Sequence, residues 1–146
     1  LMTPRERIDA YFLSCSEGTP DEIAAHFTDD AVVWDTNIRP MRGAADIGAS
    51  WAKVRERWCG ARWLVDTCVT APDESTAAIE WQMTGTNPSD DRGFVFRGSE
   101  HYRFAADADT TLIAEIRQYW TFDPERLDTG LVGFDYSAWD TAEADA

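Results

Sequence analysis

Cations are scarce in this chain: 13 Lys and Arg stand against 27 Asp and Glu in 146 residues, a formal net charge of −14. Binding nucleic-acid phosphates takes clustered Lys and Arg, so no nucleic-acid partner is expected, and an anionic membrane surface is disfavoured for the same reason. No run of about 20 apolar residues is available to span a bilayer. The opening LMTPRERIDA lacks the apolar stretch of a secretory leader, so no membrane association and a cytoplasmic location are expected. The 2 histidines and 3 cysteines are equally sparse. Cys15, Cys59 and Cys68 are odd in number and lack ligand spacing, and only His26 and His101 are present to join them. Neither a metal nor another cofactor is expected, and the cysteines read as small buried hydrophobes. Internal repeats and low-complexity segments are also missing.

What is present suffices for one core, since a chain of this length buries roughly two thirds of its unfolded surface in a single domain. We read residues 1–146 as that domain. Thr3-Pro4-Arg5-Glu6 is a helix start in which Thr caps, Pro takes the first helical position and Glu completes a capping box. The face that follows, Ile8, Tyr11, Phe12 and Cys15, runs to a stop at Gly18. Thr19-Pro20-Asp21-Glu22 repeats the signal for a short second helix with Ile23, Ala24 and Phe27. Thr28-Asp29-Asp30 then reads as a turn into a brief strand, Ala31 to Asp35. Ile47, Trp51, Val54 and Trp58 recur at helical spacing after Gly43, giving a third helix.

Beyond Gly60 the period becomes that of strands, over Ala61–Thr70, Thr76–Thr86, Phe94–Ala105 and Leu112–Phe122. Their links, Ala71–Glu74, Asn87–Gly93 and Ala106–Asp109, are short and rich in turn residues, so the strands pair as antiparallel hairpins. The fold class is α+β: three N-terminal helices on a strongly curved, mainly antiparallel sheet. Such a sheet wrapped around a long helix makes a cone whose open end is a pocket. Residues 123–146 form an acidic tail, but Leu127, Leu131, Phe134, Tyr136 and Trp139 give it too much aromatic and apolar surface for a disordered end. It is expected to fold back, with Gly133–Trp139 capping the mouth.

Alternation decides which residues look into the cone. In Gly98-Ser99-Glu100-His101-Tyr102-Arg103-Phe104, Glu100 shares a face with Phe96, Gly98, Tyr102 and Phe104, whereas Arg97, His101 and Arg103 face outward. Ile116, Gln118 and Trp120 look inward from the last strand. Tyr11 lies on the buried stripe of the first helix, and Asp35 shares the side of Val33. Each has an ordinary explanation alone: a core tyrosine with a satisfied hydroxyl, a turn aspartate, a glutamate paired with Arg97 or Arg117.

Taken together, Tyr11, the Phe27-Thr28-Asp29-Asp30-Ala31 element leading to Asp35, and Glu100-His101-Tyr102-Arg103-Phe104 resemble the bacterial Δ5-3-ketosteroid isomerases. That family belongs to the superfamily of nuclear transport factor two, SnoaL-like polyketide cyclases, scytalone dehydratase and limonene-epoxide hydrolase. The final Ile116-Arg117-Gln118-Tyr119-Trp120 is also typical of the superfamily. The resemblance covers most of the chain through Phe122 and implies a cone-shaped, cystatin-like α+β barrel.

It further implies a cofactor-independent enzyme that moves a proton on a small hydrophobic carbonyl compound, as an isomerase or a related cyclase or dehydratase. Asp35 would be the general base, with Tyr11 and a protonated Glu100 binding the developing oxyanion. An apolar, aromatic surrounding is what would keep such an acid neutral. The wall of the pocket is expected from Cys15, Trp51, Trp81, Met83, Phe96, Tyr102, Ile116, Gln118 and Trp120. Three residues depart from the family: Glu100 and Tyr102 occupy the places of its Asp and Phe, and Gln118 that of a small apolar residue. Trp81, Met83 and Gln118 stand where the epoxide hydrolases need an Asp-Arg-Asp set, and Gln118 also occupies the base position of the SnoaL-type cyclases. Scytalone-type dehydration relies on histidine, and His101 faces outward. The alternative is a non-catalytic ligand-binding or structural protein of the same fold. A homodimer is expected through the open sheet face, where Trp34, His101, Arg103, Arg117 and Tyr119 gather.

Overall fold

A computed structural model describes residues 2–106 and 110–139. Helix α1 (Pro4–Glu17) and helix α2 (Pro20–Ala24) each begin with a complete capping box, Thr3 with Glu6 and Thr19 with Glu22. Ile8, Tyr11, Phe12 and Cys15 are the buried face of α1, as their spacing predicts. Helix α3 (Ala44–Arg57) turns Ile47 and Trp51 into the core. It lies close against α2, where a side chain on Gly48 would meet the Pro20 carbonyl oxygen at 2.2 Å.

Strands β1 (Phe27–Asp35), β2 (Met41–Arg42), β3 (Arg62–Thr70), β4 (Thr76–Thr86), β5 (Gly93–Phe104) and β6 (Ile113–Trp120) form one sheet in the order β2-β1-β6-β5-β4-β3. β1 runs parallel to β6 and every other neighbour is antiparallel. The sheet is curved but does not close, leaving β2 and β3 as its edges. Two details differ from the sequence reading. Thr28-Asp29-Asp30 does not turn the chain: Phe27 already pairs with Ile113, and the register shifts between Phe27 and Val32, so the polar residues lie in an irregularity within β1. The two-residue β2 carries no periodicity of its own and exists through its pairing with Val32 and Val33.

Three further expectations are corrected or left aside. Cys15 is buried and Cys68 half-buried, but Cys59 is exposed. It follows α3 in a left-handed conformation, φ 56°, with its N–H on the Glu56 carbonyl, so its side chain leaves the core. The expected cap over the mouth lies elsewhere, because β6 stops at Trp120 opposite Gly98 and leaves the start of β5 without a neighbour on the side away from β4. The tail takes that place: Val95 donates to Leu127 O at 2.7 Å and Thr129 donates to Val95 O at 3.1 Å. Arg97 then pairs with Asp128 and lies 3.9 Å from the centre of the Tyr136 ring, which packs with Phe134 and Trp139. Of the expected turn Ala106–Asp109, positions 107–109 lie outside the described residues, as do 140–146 of the tail.

His26 joins the helices to the sheet. Arg7 Nη1 donates to its Nδ1 at 3.0 Å, which leaves Nε2–H to face Ser14 Oγ at 2.9 Å. Arg7 also donates to the carbonyls of Thr110 and Thr111. Burial, aided by the Arg7 charge, pulls the imidazole down to a pKa of about 4, so His26 is a neutral tie rather than a proton carrier at pH 7. No helix among the described residues is long and apolar enough to cross a membrane.

Candidate active site

The open end of the cone encloses a cavity of about 230 Å³. Tyr11, Asp35 and Glu100 all line it, brought there from α1, the end of β1 and the middle of β5. Cys15, Trp51, Trp81, Met83, Phe96, Gln118 and Trp120 line it as expected. Tyr102 and Ile116 do not: they pair with each other deeper along β5 and β6, and with Phe104 stacked on Tyr102 they fill the closed end. Phe12, Asn37, Ile38, Val54, Arg57, Trp58, Trp63 and Phe122 complete the wall. Val54 and Trp58 stand on the apolar stripe of α3 and were legible by spacing. Asn37 and Ile38 come from the loop after β1, which has no periodic signal.

The wall is aromatic because three inward rows of the sheet coincide. Trp81, Gly98 and Trp120 are cross-strand partners, with the two indole rings 6.3 Å apart. A side chain on Gly98 would meet Trp81 Cζ2 at 2.7 Å and Trp120 Cβ at 2.9 Å, so only glycine leaves room for both rings. Phe96 lies 5.8 Å from the Trp120 ring and 5.8 Å from that of Trp58.

Asp35 is held by N–H donors on both oxygens. Oδ1 accepts from the backbone of Asn37 at 2.6 Å and Ile38 at 3.1 Å, a local turn that locks the carboxyl. Oδ2 accepts from Trp120 Nε1 at 2.8 Å and from Gln118 Nε2. Thr36 ties the same corner by donating to Trp120 O at 2.7 Å.

Glu100 is 5% exposed, and among the described residues no cation forms an ion pair with it. Arg97 is taken by Asp128 and Arg117 by Glu115, which removes both candidate ion pairs. Its partner is Tyr102, whose hydroxyl donates to Oε2. Burial drives the carboxyl up to a pKa of about 8; the Tyr102 bond opposes this, and the Asp35 charge adds to it. Tyr11 and Cys15 are pushed well above their ordinary values, chiefly by burial. The deep cavity therefore presents a phenol, a thiol and a carboxylic acid in their protonated forms. Among the described residues no group of three or more His, Cys, Asp and Glu is placed to hold a metal ion.

This helix-backed, curved α+β sheet is similar to solved structures of cystatin-like and ketosteroid isomerase-like fold. The chain belongs to the SnoaL-like domain family, whose sequence profile matches residues 8–121. A protein of cystatin-like fold from Methylobium petroleophilum PM1 is 29% identical with a TM-score of 0.68, covering 91% of this chain and 86% of its own. A protein of ketosteroid isomerase-like fold from Catenulispora acidiphila DSM 44928, solved with trimethylamine, is 17% identical at a TM-score of 0.71, over 83% of this chain and 88% of that one. The epoxide hydrolase/cyclase-like enzyme SalBIII, from pyran ring formation in the polyether salinomycin, is 16% identical at a TM-score of 0.68, over 82% and 91%. No curated protein is significantly similar.

Proposed function

We propose that the protein is a cofactor-independent enzyme that binds a small hydrophobic carbonyl compound in the cone and shifts a proton along its carbon skeleton. Asp35 takes the proton from the carbon beside the carbonyl and returns it further along the enolate, while Tyr11 and protonated Glu100 donate to the oxygen where charge develops. The observation that carries this reading is Glu100: a buried acid on the cavity wall, in no ion pair among the described residues and raised to a pKa of about 8, remains a hydrogen-bond donor near pH 7. Epoxide hydrolysis is not proposed, because Trp81, Met83 and Gln118 stand where the resemblance would require an Asp-Arg-Asp set.

One observation favours the second reading, a non-catalytic binding protein. The four donors on Asp35 occupy about as many sites as a carboxylate has, so a base there must give one up to take a proton. Turnover of a β,γ-unsaturated ketone decides between the two. The proton-transfer reading expects the wild type to conjugate the double bond and Asp35→Asn to lower kcat by about 10²–10⁴-fold with ligand affinity kept. A wild type that binds the ketone without isomerising it leaves the binding reading standing. We further propose a homodimer through the part of the outer face that the tail leaves open, where Trp34 and Tyr119 are 39% and 51% exposed.

A further inference from the structure

Asp35, Gln118 and Glu100 stand side by side on three neighbouring strands: Gln118 is the register partner of Asp35 in β1 and of Glu100 in β5. Such neighbours hold their side chains about 5 Å apart on one face. The Gln118 amide is 3% exposed and its Nε2 is committed to Asp35, which fixes its orientation and directs Oε1 away from that acid. Oε1 is buried and has no donor among the described residues. A buried amide oxygen left so is unfavourable. The Tyr102 hydroxyl goes to Glu100 Oε2 and the Trp120 N–H goes to Asp35, while the Trp51 and Trp81 indole N–H groups of the same wall make no hydrogen bond to Oε1.

We propose that, before a ligand binds, Gln118 bridges the two acids of the cone, its N–H held by the Asp35 carboxyl group and its amide oxygen accepting the proton that Glu100 carries on Oε1. The oxygen of a bound carbonyl compound then replaces Gln118 as the acceptor of that proton. The proton belongs on Oε1 because Oε2 already accepts from Tyr102. The other titratable groups around Glu100 are Tyr11 and Cys15 from α1, both held protonated by burial, and Tyr102 from its own strand. Arg57 is at the exposed rim, 5.9 Å from the Trp58 ring centre, and β4 offers Glu100 only Ile79. A single amide thus holds both acids and favours the neutral form of Glu100. The bridge itself needs no turnover; its consequence, that Gln118 is a positioning residue for the base, rests on the proton-transfer reading above.

Carboxyl-carbon NMR titration of the full chain tests it. In Gln118→Leu, Glu100 loses an acceptor for its neutral form and its midpoint falls by about one pH unit. Gln118→Met repeats the test with an unbranched side chain if the leucine variant does not fold. A Glu100 midpoint that rises, as added apolar surface alone would cause, or one that does not move, overturns the bridge. Ketone turnover, measured separately on the wild type, judges the proton-transfer reading independently of these shifts.

Discussion

The acid at position 100 is longer by one methylene than the one in the isomerases it resembles, and the residue two places on carries a hydroxyl where they have phenylalanine. The structure makes these one change: the Tyr102 hydroxyl donates to the Glu100 carboxyl, so the longer acid is held from behind while it faces the cavity. Glu100→Asp should leave the tyrosine hydroxyl without its partner, and Tyr102→Phe should raise the Glu100 pKa above about 8 by removing the bond that opposes burial. The double variant Glu100→Asp/Tyr102→Phe should recover part of the combined loss, with a coupling of about 1–2 kcal/mol in urea unfolding. Additive losses would show that the two residues act separately. An inward-facing acid in an aromatic stripe was readable from alternation; its partner was read as pocket wall, since a period of two reports the face and not the depth along the cone.

At the scale of elements, Gly98 and Arg97 show how neighbouring positions serve opposite faces of β5. Gly98→Ala should destabilise the protein by about 1–3 kcal/mol, because the added methyl group meets Trp81 and Trp120 on the inner face and the Tyr119 carbonyl beside it. Trp120 should shift away from Asp35, seen as a change in indole fluorescence and a lower urea midpoint. Arg97→Ala removes the Asp128 pair and the stack on Tyr136, so amide exchange across Leu127–Trp139 should quicken while α1 and β4 keep their protection. The aromatic content of the tail announced that it packs. Where it packs depends on β6 ending at Trp120 and leaving the first part of β5 open, a fact of pairing that no local pattern contains.

For the whole molecule, two buried groups set opposing pH slopes. Glu100 has its pKa raised from 4.5 to about 8, so its contribution to stability is full below pH 4.5 and is lost as pH rises through 8. His26 is lowered from 6.5 to about 4, so its contribution is full above pH 6.5 and is lost as pH falls through 4. Their slopes cancel between pH 4.5 and 6.5, and stability declines on either side. Between pH 6.5 and 8 the loss should approach about 2 kcal/mol, and Glu100→Gln should abolish it, read from urea midpoints across that range. At the same scale, sedimentation at micromolar concentration should give a dimer, and a monomer would remove the proposed interface.

The sequence by itself determined the helices, the long strands and the faces they turn inward, because capping boxes, turn residues and periodicity are local properties of the chain. It also carried the likeness that placed Tyr11, Asp35 and Glu100 as a set. Only the tertiary structure decided the parallel pairing of β1 with β6, and with it the row Asp35–Gln118–Glu100 that sets two acids on either side of one amide. Residues 83 positions apart meet there through hydrogen bonds that exist only after the sheet has formed, as do the burial that raises Glu100 and the hold of Gln118 and Trp120 on Asp35.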